Sequence, residues 1–299
     1  MHRRTFLGAA AAGIVANAAA NDIPVIDTHI HLFDPGRPQG IPWPGKESTI
    51  YKAALPERYR KLAAPFGIRG AIEVECSPWL EDNQWVLDVA AKDTIIVGTV
   101  GDLEPGKPEF ARQLERFHRN PLFLGIRYGN LWDRNFAAES ARPEFIAGAK
   151  LLASAGLVLD TANPNDELLK TVLRLSDRVP ELRIVIDHLP GAALSGDREV
   201  RELARRPQIY VKLSAIFRRV EGRVPQELAF YRERLDQLSG IFGEDRVLFG
   251  SDWPNSDQVA PYDKVFGLVH EYFAGKSRAA AEKYFWKNSV AAYRWVKRD

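Results

Sequence analysis

The sequence predicts a single (β/α)8 barrel, and three observations lead to this fold class. Short apolar runs alternate eight times with longer amphipathic segments, the pattern of a parallel sheet covered by helices. Eight such units are the number that closes into a barrel. No linker or low-complexity tract divides the chain after the first twenty residues. An open doubly wound sheet is the alternative, but no glycine-rich phosphate turn follows the first run.

The predicted strands have nearly continuous apolar stems, as strands buried on both faces of a sheet do. In chain order they span residues 24–31, 68–76, 94–101, 122–129, 156–163, 182–189, 208–216 and 245–253. Between them, apolar residues recur at three- and four-residue spacing, which is typical of amphipathic helices. Such helices are predicted over residues 80–92, 110–119, 143–155, 165–177 and 198–206. The first connection, 33–56, is long and rich in Pro, Gly and Trp, so we expect it to cover a site.

The composition is that of an ordinary globular protein. The chain has 299 residues, 45% of them hydrophobic and 27% charged, with a formal net charge of +2. So small a net charge gives no electrostatic case for binding nucleic acid. The single cysteine, Cys76, excludes an intrachain disulfide. We expect a small-molecule substrate, and either a monomer or a homodimer.

Residues 1–20 have the pattern of an export signal rather than of a barrel element. A twin arginine, Arg3-Arg4, precedes a short alanine-rich apolar run and the sequence ANAAA, whose small residues suit cleavage. The pattern resembles a twin-arginine signal peptide and predicts a periplasmic protein whose barrel occupies residues 21–299. A basic N-terminal helix or a membrane anchor is the alternative, although the apolar run is too short to span a bilayer.

Polar side chains collect at the ends of the predicted strands. His29 and His31 share one face of the first strand, because residues two apart on a strand point the same way. Active sites of such barrels lie at the C-terminal ends of the strands, so we expect these side chains to meet in one mouth. The other strand-end candidates are Glu73, Glu75, Asp102, Arg127, Tyr128, Asp160, Asn163, Asp187, His188, Lys212, Ser214, Ser251 and Asp252.

Four motifs in combination resemble the amidohydrolase superfamily. They are DTHIH at 27–31, IDHLPG at 186–191, YVKLS at 210–214 and FGSDWP at 249–254. Together they are most similar to the "amidohydrolase 2" type, in its lactonase and 2-pyrone-4,6-dicarboxylate hydrolase branch. The resemblance implies a barrel hydrolase with a His-x-His pair on the first strand and an aspartate on the eighth that handles the hydrolytic water.

The resemblance also implies a set of site residues. His29, His31, His188 and Asp252 match the family's ligands for one divalent metal, for which zinc is the expected ion. Asp252 and His188 are then the catalytic residues, with Asp252 as general base and the imidazoles stabilising the oxyanion. Some members similar to this branch work without a metal, and that alternative stays open.

Three departures from the family pattern restrict what can be carried over. The fourth strand ends in Arg127 instead of the lysine that bridges two metals in binuclear members, so a bridged metal pair is not expected. The fifth strand ends LDTAN, without a histidine. Tyr128 replaces the histidine that often follows the strand-four arginine in lactonases, which leaves the substrate open.

Five residues are candidates for substrate binding. Arg127 offers a fork that matches a carboxylate, and Lys212 adds positive charge. Tyr128, Trp253 and Glu75 lie at the same predicted mouth. Structural roles are the alternative in each case, including ion pairs for the two cations.

The expected function is hydrolysis of a sugar-acid lactone or related cyclic ester, with a carboxylate on the substrate. A decarboxylase of the same superfamily, acting on an aromatic or enol acid, is the alternative. A binding barrel that has lost catalysis is a third hypothesis, which the presence of Asp252 and all three histidines disfavours.

Overall fold

A computed structural model describes residues 23–298 and shows eight parallel strands in one sheet, arranged in chain order. The strands are β1 Val25–Ile30, β2 Ile68–Val74, β3 Ile96–Gly101, β4 Phe123–Arg127, β5 Val158–Asp160, β6 Arg183–Ile186, β7 Ile209–Lys212 and β8 Val247–Leu248. The segment after β8 closes the sheet onto β1, since the His31 N–H donates to the Trp253 carbonyl at 2.7 Å. The predicted (β/α)8 barrel is confirmed. Residues 1–20, predicted to be an export signal, lie outside the described residues.

Helices cover the sheet between successive strands. They are α1 Pro56–Ala63, α2 Leu80–Ala91, α3 Phe110–His118, α4 Phe136–Ser140, α5 Pro143–Ser154, α6 Asp166–Arg178, α7 Arg198–Ala204, α8 Leu228–Phe242, α9 Tyr262–Ala274, α10 Arg278–Glu282 and α11 Asn288–Tyr293. The α6 helix begins where its sequence predicts, because the Asn165 side-chain oxygen accepts a hydrogen bond from the Leu168 N–H at 2.9 Å. Among residues 23–298, no helix combines the length and the apolar character needed to cross a bilayer.

Strand side chains alternate between the barrel interior and the layer beneath the helices. In β2, Ile72 and Val74 belong to the interior cluster, whereas Ala71, which directly precedes Ile72, packs in the outer cluster. The interior cluster also contains Ile26, Val97, Val100, Leu124, Val158, Val185, Leu248, Ala292 and Tyr293. The last two come from α11, so the C-terminal segment fills the end of the barrel opposite the strand C-termini.

The first connection lies over the mouth of the barrel, as its length and composition predict. It is pinned at its base by paired backbone hydrogen bonds between Phe33 and Ala54, at 3.1 and 2.9 Å. The Trp43 ring in this connection lies edge-on to the His31 ring, with centroids 5.5 Å apart. One side of the mouth is therefore walled by an aromatic side chain.

Candidate active site

Three imidazoles and one carboxylate meet at the C-terminal mouth of the barrel. His29 and His31 come from the end of β1, while His188 follows β6 and Asp252 follows β8. Asp252 Oδ1 lies 3.2 Å from His31 Nε2, 3.6 Å from His29 Nε2 and 3.8 Å from His188 Nε2. The structure therefore brings together the four residues that the sequence offers as metal ligands.

Unusual backbone geometry aims two of these side chains. His188 and Asp252 both adopt left-handed conformations, with φ of 57° and 62°. Such a conformation costs a residue with a side chain about 1–2 kcal/mol. Gly250 allows the approach of the two strand ends, because a Cβ at this position would lie 2.8 Å from the His29 Cβ. The Asp252 N–H then donates to the His29 carbonyl at 2.8 Å, which fixes the carboxylate beside the imidazoles.

The hydrogen bonds of His31 determine which of its ring nitrogens carries the proton and which presents a lone pair to Asp252. His31 Nδ1 lies 2.7 Å from the Val74 carbonyl oxygen, which can only accept, so Nδ1 carries the proton. In the neutral ring, Nε2 then presents a lone pair to Asp252 Oδ1 at 3.2 Å. Two acceptor atoms at this distance repel each other unless a proton or a cation lies between them.

The arrangement fits a divalent cation. Ligand atoms of His29, His31 and Asp252 lie within 4.8 Å of one another, and those of His29, His188 and Asp187 form a second such group. The buried His29 Nε2 atom has no hydrogen-bond partner within residues 23–298. Imidazole nitrogens with one carboxylate are the donor set that zinc and similar ions prefer.

The electrostatics of the mouth suit the binding of a cation. Burial lowers the pKa of His29 well below its ordinary value, and the neighbouring Lys212 lowers it further. Burial also lowers the pKa of His188. For Asp252, burial acts to raise the pKa, but the three surrounding imidazoles outweigh it and hold the pKa well below its usual range. At neutral pH His29 and His188 are therefore neutral, and Asp252 is ionised.

A buried ion cluster lies directly beneath His29. Lys212 Nζ is 2.7 Å from Asp160 Oδ2, 2.9 Å from Asp187 Oδ1 and 3.1 Å from His29 Nδ1. The lysine and both carboxylates are fully buried. The structure thus places Lys212 under the site rather than at its open surface, because β5, β6 and β7 are adjacent and two carboxylates capture the ammonium group.

Arg127 and Glu75 bond to each other at the edge of the mouth. Arg127 Nε donates to Glu75 Oε1 at 2.9 Å, and a second guanidinium nitrogen donates to the Glu75 carbonyl. Glu75 Oε2 accepts from the Trp132 indole N–H at 3.1 Å and from the Ser77 N–H at 3.0 Å. The ion pair that is the structural alternative for Arg127 is therefore present, and it uses two of the three guanidinium nitrogens.

The two aromatic candidates are packed side chains. The Tyr128 ring is 1% exposed, its hydroxyl donates to Glu139, and the Arg134 guanidinium lies 4.5 Å from the ring centroid. The Trp253 ring is 0% exposed and packs against Tyr59, at 5.3 Å between centroids. Neither ring lies on an open surface of the mouth.

Two polar contacts position Asp252 and His188, and the sequence alone assigns no role to the residues that make them. Asn255 Nδ2 donates to Asp252 Oδ2 at 2.8 Å, and Ser214 Oγ lies 2.8 Å from His188 Nδ1. Ser214 is visible in the sequence as a strand-end polar residue. Asn255 is not, because only the 3₁₀ turn Asn255–Gln258 brings its amide back onto the carboxylate.

Asp252 opens into a cavity between the loops that follow β7 and β8. Its polar lining includes Asn255 and Gln258 from one loop and Arg219 from the other. The Arg219 guanidinium is exposed and donates to the Gln258 carbonyl at 3.1 Å. This cavity therefore brings Asp252, an arginine and two side-chain amides to one space.

Comparison with known proteins identifies relatives along almost the whole chain. The model of the family described as "Amidohydrolase" matches residues 26–295. A protein named L-fucono-1,5-lactonase from Burkholderia ambifaria is 27% identical over 240 residues, which are 77% of this chain and 80% of that protein. A second protein of that name, from Burkholderia multivorans, is 25% identical over 281 residues, 89% of this chain and 94% of the relative.

Solved structures share the fold. A crystal structure of an amidohydrolase from Burkholderia multivorans with bound zinc has a TM-score of 0.79 at 24% identity, covering 91% of this chain and 99% of that one. A 5-carboxyvanillate decarboxylase from Sphingomonas paucimobilis has a TM-score of 0.66 at 14% identity, covering 92% and 100%.

Proposed function

The chain belongs to the amidohydrolase family, and we propose that within it the protein opens the ring of a sugar-acid lactone or a related cyclic ester. The observation that carries the proposal is the convergence of three imidazoles on the ionised Asp252 at the wall of an open cavity. Two relatives named L-fucono-1,5-lactonase, at 27% and 25% identity, support the substrate class.

Asp252 is the proposed general base. Its Oδ2 is held by Asn255 and its Oδ1 faces the imidazoles, so a water in the cavity can hand it a proton while the water oxygen attacks the lactone carbonyl carbon. The ring C–O bond then breaks, and the proton on Asp252 passes to the leaving alkoxide. His188 and the pair on β1 stabilise the negative oxygen of the tetrahedral intermediate.

We propose that His29, His31, His188 and Asp252 hold one divalent cation, most suitably zinc. A bound cation of this kind polarises a carbonyl and lowers the pKa of water. The zinc in the related amidohydrolase structure supports this choice of ion. In a metal-free site His29 and His188 are the imidazoles that can present an Nε2–H to the oxyanion, because the Nε2 of His31 presents a lone pair, and a lactone is reactive enough for that chemistry.

The five substrate-binding candidates divide by their surroundings. Arg127 and Glu75 form a rigid, nearly neutral pair at the rim, which suits hydrogen bonds to sugar hydroxyls better than capture of a carboxylate. Lys212, Tyr128 and Trp253 are buried, so they are proposed to support the site and not to contact the substrate. A substrate carboxylate, if the lactone has one, is proposed to bind Arg219 across the cavity.

The direct test is a hydrolysis screen of the mature protein, with a pH indicator, over aldonolactones and dicarboxylate lactones. We expect turnover of a sugar lactone that is lost in His188→Asn. No turnover of any lactone, together with release of CO2 from an aromatic or enol acid, would move the proposal to the decarboxylase alternative. Binding of these compounds without any turnover would instead favour a barrel that has lost catalysis.

We also propose that residues 1–20 direct twin-arginine export, which the Arg3-Arg4 pair and the ANAAA run support. N-terminal sequencing of the protein from a periplasmic fraction should find a start near residues 19–21. An intact N-terminus confined to the cytoplasmic fraction would contradict export.

A further inference from the structure

The Lys212 ammonium group has three acceptors around it, and one of them is a proposed metal ligand. Its Nζ lies 2.7 Å from Asp160 Oδ2, 2.9 Å from Asp187 Oδ1 and 3.1 Å from His29 Nδ1, with no exposure to solvent. An ammonium group has three N–H donors and no acceptor. At His29 Nδ1 the lysine can therefore only donate.

A donor at Nδ1 decides where His29 keeps its own proton. A neutral imidazole has one N–H and one lone pair, so accepting at Nδ1 puts the proton on Nε2. That Nε2 lies 3.6 Å from Asp252 Oδ1, beyond hydrogen-bond distance. In this tautomer His29 presents an N–H to the site, and the lone pair that a metal ion needs is absent from Nε2.

Asp187 lies near the same nitrogen of His29 but favours the opposite tautomer. Its Oδ2 lies 3.5 Å from His29 Nδ1 and has no hydrogen-bond partner within residues 23–298. If His29 holds its proton on Nδ1, that N–H donates to the Asp187 carboxylate and frees the Nε2 lone pair. Metal-bound histidines ordinarily pair with a carboxylate in this way. Lys212 and Asp187 thus compete for one nitrogen and favour different tautomers.

His31 has no such choice. Its Nδ1 faces the Val74 carbonyl at 2.7 Å, which accepts only, so its Nε2 lone pair always points into the site. The two histidines of one motif therefore differ, since His31 is fixed as a ligand and His29 is not.

We propose that Lys212 is a positioning residue that selects the Nε2–H tautomer of His29 and thereby weakens the binding of a divalent cation, while Asp187 is the alternative partner that admits the cation. Asp160 holds Lys212 in place, and the Tyr293 hydroxyl donates to the same Asp160 oxygen at 2.8 Å. The C-terminal segment thus supports this arrangement from the closed end of the barrel.

The wild-type protein alone tests the tautomer. Metal-free protein labelled with 13C and 15N is examined by long-range 15N–1H correlation of the imidazole rings, and the rings of His29 and His31 are assigned through bonds to their backbone resonances. We expect His29 protonated on Nε2 and His31 on Nδ1. Finding the His29 proton on Nδ1 would overturn the proposal, whether or not any variant folds.

A charge-balanced variant tests the effect on metal binding. Lys212→Met with Asp160→Asn removes one buried cation and one buried anion, so the net charge near the site is unchanged. We expect the His29 proton to move to Nδ1 and zinc affinity, measured by chelator competition, to rise by about 10- to 100-fold. Asp160→Asn alone keeps the lysine and is the matched control, with zinc affinity near or below that of the wild type.

Zinc affinity of the double variant equal to or weaker than that of the wild type would also overturn the proposal. Neither measurement uses a lactone, so the result is independent of the proposed activity. A protein that fails every lactone assay can still show the predicted tautomer, and an active lactonase can lack it.

Discussion

Two buried aspartates lie on opposite sides of the seam between β1 and the end of β8, and their neighbours give them different tasks. Asp27, on the helix side, accepts hydrogen bonds from the Tyr59 hydroxyl at 2.8 Å, the Tyr262 hydroxyl at 3.1 Å and the Ser251 N–H at 2.8 Å. Asp252, on the interior side, faces three imidazoles. Both residues are almost completely buried.

Burial alone does not determine the charge of these carboxyls. It raises the pKa of Asp27, and the hydroxyl and amide donors only partly offset it. Burial acts the same way on Asp252, but the imidazoles outweigh it and the pKa falls. A buried carboxylate among hydroxyls thus joins two strands, whereas one among imidazoles stays ionised and available to a cation.

The sharpest test of this contrast is Asp252→Asn, the largest effect we expect. The amide cannot accept a proton from water, so kcat for lactone hydrolysis should fall by about 100- to 10,000-fold. The free energy of unfolding at neutral pH should also fall, because the folded protein stabilises the ionised carboxylate, so kcat is compared per folded molecule. Activity within a few fold of the wild type would remove Asp252 from the role of general base.

Asp27→Ala should lower stability without the loss of kcat that Asp252→Asn causes. It leaves two tyrosine hydroxyls and a backbone N–H buried without their acceptor, which costs about 1–3 kcal/mol for each unsatisfied group. We expect a clear loss in the free energy of unfolding by urea, with kcat per folded molecule largely retained. A variant of full stability but no activity would place Asp27 in the chemistry instead of the scaffold.

The sequence predicts the surroundings of Asp252 better than those of Asp27. Strand periodicity and the C-terminal location of barrel sites indicate that His29, His31 and Asp252 meet. By alternation Asp27 should share the face of His29, but β1 is irregular between Asp27 and Ile30, and the two side chains point to opposite sides of the strand. A local shift of register cannot be seen in a residue pattern.

The two positively charged candidates show a second reason why the sequence predicts the site only in part. Arg127 and Lys212 lie at strand ends, as expected, yet each is held by carboxylates from neighbouring strands. Strand order indicates that these partners are near. Whether a cation bonds to a neighbour or faces the cavity depends on side-chain packing, which the sequence does not contain.

The pH dependence of stability should have opposite signs for the two aspartates. For Asp252 the folded pKa lies below the ordinary 3.8, so its stabilisation is present above pH 3.8 and is lost as the pH falls further. For Asp27 the folded pKa lies above 3.8, so a penalty develops as the pH rises from 3.8 through the folded pKa.

Urea unfolding of metal-free protein at several pH values measures both signs against the asparagine variants. The stability of the wild type relative to Asp252→Asn should decrease toward acid. Its stability relative to Asp27→Asn should decrease toward neutral pH. Parallel slopes for the two pairs would mean that the imidazoles and hydroxyls do not distinguish these carboxyls.

The smallest expected effect separates the donors around Asp27 from one another. Tyr262→Phe removes the longer of the two hydroxyl bonds to Oδ2 and leaves the Tyr59 hydroxyl in place, so we expect a loss of about 1 kcal/mol in the free energy of unfolding and no change in kcat. Tyr59→Phe is the matched comparison and should cost more, because its hydroxyl makes the shorter bond to Asp27 and also lies 3.2 Å from the Tyr262 hydroxyl. Equal losses would mean that the two hydroxyls act as one unit, and a fall in kcat in either variant would show that the helix side of the seam influences the position of Asp252.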